Sequence, residues 1–181
     1  MQTIDENTPI ENELVLPILA VRGMVFFPGM MLQFDVARKK SILAVTESLS
    51  SDRLIFLVSQ VDLSDGEPTG DDLYKIGVIA RIKQVVHHSE EGVKLHVEGV
   101  CRGEIVSLLQ EDPYLVGNIQ KCPILTYKKT YKSEALLRVI HDRFDEYLRL
   151  FKHVPPDVLL GVLQEKDCGR LADYIASNIS I

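Results

Sequence analysis

The spacing of apolar residues changes once along this chain. Up to about residue 121 they come in short runs and two-residue alternations, broken by glycine, proline and aspartate. Beyond residue 133 they recur every third or fourth position. The first pattern predicts strands and the second amphipathic helices.

Residues 13–20 read as a strand, and Pro17, which has no N–H to give a ladder, suggests an edge position. Arg22-Gly23 is a turn, and the apolar run 24–27 is closed by the turn pair Pro28-Gly29. Residues 30–36 form a second strand. Ile42, Val45 and Leu49 then mark one face of a helix over 37–49. The unbroken run Leu54-Ile55-Phe56-Leu57-Val58 predicts a strand buried on both faces. Residues 61–72 form a loop rich in Gly, Pro and Asp. A long strand over 73–88, bent at Gly77, returns through a hairpin turn at 89–92. Val93, Leu95 and Val97 alternate with Lys94, His96 and Glu98 along 93–100. Two more strands, 105–109 and 114–121, flank the turn Glu111-Asp112-Pro113.

From Ser133, a suitable N-cap, Leu137, Ile140, Phe144, Tyr147 and Phe151 line one helix face. Pro155-Pro156 ends this helix and opens a short one over 158–164. Asp167 caps a last helix through residue 175. The fold class is therefore α+β: a compact barrel or curved sheet with one inserted helix, then a small helical bundle. The divisions are a flexible N-terminus over 1–12, a β-rich part over 13–120 and a helical part over 121–181.

Of the 181 residues, 46% are hydrophobic and 25% charged, an ordinary globular mix. No apolar run is long enough to span a bilayer, and the polar, acidic start lacks the pattern of a signal peptide, so a cytoplasmic setting is expected. Residues 1–118 hold 10 Lys+Arg against 18 Asp+Glu, whereas residues 119–181 hold 10 against 8. An acidic front half is a poor partner for a phosphate backbone, which argues against nucleic-acid binding there. Cys101, Cys122 and Cys168 are far apart, odd in number and without a Cys-x-x-Cys pair, so reduced thiols are expected rather than a zinc site or disulfide framework.

Catalytic patterns are thin. His88-Ser89-Glu90 lacks the Pro-Cys-x-x-Cys partner of zinc deaminases and reads as a turn. There is no Gly-x-Ser-x-Gly elbow, and His141 and His153 lie too far apart on one helix to share a metal. Asp71-Asp72 fits a turn better than a carboxylate pair. Lys128-Lys129 with Lys132 is either a solvated linker face or an electrostatic contact to a subunit or acidic substrate. The stripe of the long helix serves either bundle packing or self-association.

The cluster Met24-Val25-Phe26-Phe27-Pro28-Gly29-Met30-Met31 is the leading binding candidate. Methionine and phenylalanine make a soft surface that adapts to varied partners. Met24, Phe26, Phe27, Met30 and Met31 are its candidate substrate-binding residues. Core packing is the competing reading.

Leu16-Pro17-Ile18-Leu19 with Phe27-Pro28-Gly29, the segment Asp71-Asp72-Leu73-Tyr74-Lys75-Ile76-Gly77, and Val97-Glu98-Gly99 with Arg102 together resemble the amino-terminal domain of the Lon family of ATP-dependent proteases. The resemblance covers roughly residues 13–178. It implies a PUA-like β-fold followed by a helical bundle, and a role in selecting substrates and in assembly. The parent enzyme it implies is a cytoplasmic homo-oligomer, usually a hexamer, that degrades damaged or short-lived regulatory proteins with an ATPase and a Ser–Lys peptidase module. This chain has no Gly-x-x-x-x-Gly-Lys-Ser/Thr phosphate loop, so no catalytic, cofactor or metal residue is expected within it; ATP and Mg belong to the parent. Unfolded or damaged proteins are the expected partners, with no membrane. The alternatives are a free-standing adaptor that binds a small ligand or partner protein, and an RNA binder, which the acidic front half opposes.

Overall fold

The computed structural model describes residues 13–63, 66–89, 92–123, 130–150 and 156–179. Two compact units result, Met1–Cys122 and Pro123–Ile181.

The first unit contains β1 (Glu13–Val21), β2 (Met31–Val36), α1 (Lys39–Ser50), β3 (Leu54–Ser59), a 3-10 turn (Gly70–Asp72), β4 (Ile76–Ser89), β5 (Gly92–Gln110) and β6 (Val116–Lys121). The strand order is β2-β5-β4-β3-β1-β6, and β6 pairs back with β5. That last pairing closes five strands into a barrel and leaves β2 outside the ring, on the first half of β5. β1 and β3 run parallel; every other pair is antiparallel.

The continuous apolar run of β3 divides between two cores. Ile55 and Leu57 join Leu19, Val45, Val78, Ile82 and Leu95 in one cluster, while Phe56 and Val58 join Leu16, Ile18, Ile79 and Ile119 in the other. Successive side chains point to opposite faces, so a strand buried on both needs no polar position.

Several expectations require correction. β1 is not an edge strand: it lies between β3 and β6. Pro17 fits because the ladder to β3 begins one residue later, at Ile18, whose own N–H donates to the Leu115 carbonyl at 2.8 Å on the β6 side. β5 is a single strand across the expected break at 101–104. The register shifts of β4 against β5 come after Gly77, between Ile79 and Ala80, Ile82 and Gln84, and His87 and Ser89. Gly77 is needed for close approach, since a Cβ there would lie 2.3 Å from the Leu57 carbonyl oxygen and 2.6 Å from the Phe56 ring.

α1 buries Val45 and packs Ile42 against the core as expected, but Leu49 is exposed, and Ser41, Ala44 and Ser48 are the other buried positions. Ser48 is tolerated inside because its hydroxyl donates to the Ala44 carbonyl at 2.9 Å, four residues back.

The second unit contains α2 (Tyr131–Leu150), α3 (Pro156–Gln164) and α4 (Cys168–Asn178). Phe144, Val158, Val162 and Leu171 form its core, with Leu137 and Tyr147 packed against them. Ile140, expected on that face, is half-exposed, and Phe151 lies outside the described residues. Thr130 replaces Ser133 as the cap of α2: its hydroxyl accepts from the Ser133 N–H at 3.2 Å, and the Ser133 hydroxyl accepts from the Thr130 N–H at 2.9 Å. Asp167 caps α4 as expected, accepting from the Arg170 N–H at 2.9 Å. Among the described residues, no helix is long and apolar enough to cross a membrane.

Candidate functional site

The segment 24–31 links β1 to β2 and is not itself a strand up to Met30. Gly23 and Gly29, at φ +62° and +78°, supply the left-handed turns at its two ends. Between them the backbone is tied down at both ends. The Ser59 hydroxyl donates to the Met24 carbonyl at 2.7 Å. Gly29 N–H donates to the Gly99 carbonyl, and Gly99 N–H donates to the Met30 carbonyl, each at 2.9 Å.

This explains why Phe27-Pro28-Gly29 and Glu98-Gly99-Val100-Cys101-Arg102, seventy residues apart in sequence, carry one signature. A Cβ at residue 99 would lie 2.4 Å from the Phe27 carbonyl oxygen. The Arg102 guanidinium sits 5.9 Å from the centre of the Phe27 ring, within cation–π range. Glu98 bonds Lys83 at 2.5 Å, and that hydrogen bond and charge hold its carboxyl below the usual glutamate range. The segment Asp71 to Gly77 is likewise architectural. The Asp72 carboxylate accepts from both the N–H (2.8 Å) and hydroxyl (2.7 Å) of Thr69, which lowers its pKa.

The five candidate residues divide by burial. Phe26 is core, 7% exposed, and is withdrawn from the expected surface patch. Met24 and Met30 are half-buried against the same core, and Phe27 is half-buried beneath Arg102. Met31 is 58% exposed. Val25, within the cluster but not among its five candidate residues, is 63% exposed, and Val100, the extra residue of the β5 bulge, is 48% exposed. Residue type alone favours methionine and phenylalanine as contact groups. The irregular backbone of 24–30 determines which residues face outward, and no periodicity signals it.

Beside this segment runs a groove of about 310 Å³, lined by Leu19–Arg22 and Met24 on one side and Phe34–Arg38 on the other. Arg38 fixes one end, donating to the Gln60 side-chain oxygen at 2.9 Å and to the Ala20 carbonyl at 2.5 Å. Burial, then Arg22, lower its pKa.

Among the described residues, no group of three or more His, Cys, Asp or Glu side chains is arranged to hold a metal. The thiols of Cys101 and Cys122 are pushed up, chiefly by burial. Glu90, Glu91, Lys128, Lys129 and His153 lie outside the described residues, as do the side chains of His88 and Ser89.

The family model described as ATP-dependent protease La (LON) substrate-binding domain matches residues 15–181. The Lon protease of Desulforamulus reducens is 37% identical over 166 residues, covering 92% of this chain and 20% of that protein. The Lon protease of Geobacter metallireducens is 36% identical over 178 residues, covering 97% and 22%. This chain thus spans about a fifth of the length of these relatives. In fold it is similar to the N-terminal domain of a Mycobacterium avium complex Lon protease, with a TM-score of 0.70, 19% identity, and coverage of 92% of this chain and 85% of that one. Since both the family match and the sequence relatives extend over nine-tenths of its residues, the chain belongs to the family of Lon substrate-binding domains.

Proposed function

We propose that this domain serves as the substrate-recognition and assembly part of a Lon-type ATP-dependent serine protease, engaging apolar stretches of misfolded and short-lived proteins. The observation that carries this reading is the exposure of Val25 and Met31 on a backbone tied to Ser59 beside Val25 and to Gly99 beside Met31, so that apolar side chains stay at the surface instead of collapsing inward. An apolar client residue laid against them removes both surfaces from water, at about 25 cal/mol per Å². One such contact is weak, and copies of the domain around a homo-oligomeric ring add through avidity. ATP, Mg and the Ser–Lys peptidase chemistry belong to parts of the parent enzyme outside this chain, in keeping with its one-fifth share of its relatives' length.

The test compares binding of the chain to a permanently unfolded protein and to the folded form of that protein. Preference for the unfolded form, weakened several-fold by Val25→Ser with Met31→Ser at unchanged Tm, is expected. Equal affinity for both forms would overturn the reading.

A further inference from the structure

Among the described residues β2 pairs with β5 and with no other strand, which leaves its second edge open among them. Which main-chain groups face that edge follows from the register. Gly99 N–H donates to the Met30 carbonyl, so in the pairs that follow Leu32, Phe34 and Val36 exchange bonds with Val97, Leu95 and Val93. The N–H and C=O groups of Met31, Gln33 and Asp35 therefore point away from β5. Among the described residues none of these six groups has a hydrogen-bond partner.

Natural sheets usually blunt such an edge with proline, lysine or a bulge. β2 has none of these: its sequence is Met-Leu-Gln-Phe-Asp-Val, and its register with β5 runs without a shift. Its single charge, Asp35, is near Lys94 at 3.8 Å.

The 310 Å³ groove adjoins this strand. Its far wall is the part of β1 that β6 leaves uncovered, because β1–β6 pairing ends at Pro17. Leu19, Val21, Met24 and Phe34 give it apolar walls. Arg22 and Arg38 line it together with Asp35, and the Glu67 charge also acts on Arg38.

We propose that the open edge of β2 adds an extended segment of a non-native polypeptide as a further strand, with alternate apolar side chains in the groove and an acidic residue toward Arg22 and Arg38. This rests on the recognition reading above and specifies how the client is held. The main chain supplies sequence-tolerant affinity and the groove supplies the preference for apolar residues. A folded protein has its own strands paired and offers no such segment.

The test uses a ten-residue peptide of alternating valine and threonine with a terminal glutamate, labelled for fluorescence anisotropy. Two further peptides carry N-methyl groups on the odd or on the even residues. One methylated series should lose binding and the other keep it, since only alternate N–H groups of an added strand face β2. Gln33→Pro removes an outward N–H without breaking a bond to β5, and should weaken binding about tenfold or more; Gln33→Ala should bind as the parent does. Replacing glutamate by glutamine in the peptide should weaken binding several-fold.

Equal loss in both methylated series overturns strand addition, and so does binding unchanged in Gln33→Pro. The recognition reading then survives if the unfolded protein is still preferred. Absence of binding to any unfolded client overturns both. A dimer in sedimentation that Gln33→Pro converts to monomer identifies the occupant as a second copy of the chain, and overturns the proposal in that form.

Discussion

A Cβ at residue 99 would meet backbone, which cannot rotate away as a flexible side chain can. Gly99→Ala should therefore push the 27–30 segment off β5 and cost about 1–3 kcal/mol in urea unfolding, the range for overpacking a well-filled site. Stability equal to the parent would mean that the segment yields freely. Phe26 and Met31, five residues apart, should separate stability from recognition. Phe26→Ala removes a core ring at a cost of about 3–5 kcal/mol, whereas Met31→Ser should stay within about 0.5 kcal/mol and act on client binding alone. Asp72 gives a pH prediction. Its bonds to Thr69 depress the folded pKa, so its contribution is present above the unfolded value and is lost as pH falls through the lower folded one. A carboxyl titration followed by NMR should place its midpoint below that of an ordinary aspartate; a midpoint at the ordinary value would show that the bonds from Thr69 are not formed in solution.

At the scale of elements, the period of the apolar pattern located nearly every strand and helix, because periodicity reports directly which face meets a core. The misses share one cause: sequence does not show what lies opposite. Pro17 signals an edge only if both ladders extend past it, and here one starts at the next residue. α1 turns small residues, Ser41, Ala44 and Ser48, toward the sheet, where the larger Leu49 was the expected contact. Thr130 precedes the periodic stretch of α2 and caps it through a reciprocal pair with Ser133. Thr130→Ala should cost about 0.5–2 kcal/mol, read as earlier loss of helical circular dichroism on heating. Ser133→Ala should cost less, since it leaves the Thr130 acceptor in place. The reverse ranking would restore Ser133 as the principal cap.

For the whole molecule, the architecture and the family were legible in the sequence, while which apolar side chains stand exposed around the 24–31 segment was only partly so. Met31 was found by residue type; Val25 and Val100 were not, because an irregular segment and a bulge determine their exposure. That β2 has one strand neighbour among the described residues is a property of topology, and no local pattern encodes it. Pairing of the first strand with the last has a consequence for synthesis. Glu13 lies opposite Gln120, so the barrel cannot close until more than a hundred further residues have left the ribosome. Contacts of such long sequence separation form late, because the intervening loop must be ordered before they repay it. Until then β1 presents Leu14 and Leu16 on an open edge, the kind of surface that chaperones and proteases exist to find. A nascent form of this recognition domain thus passes through the condition it is proposed to detect in others.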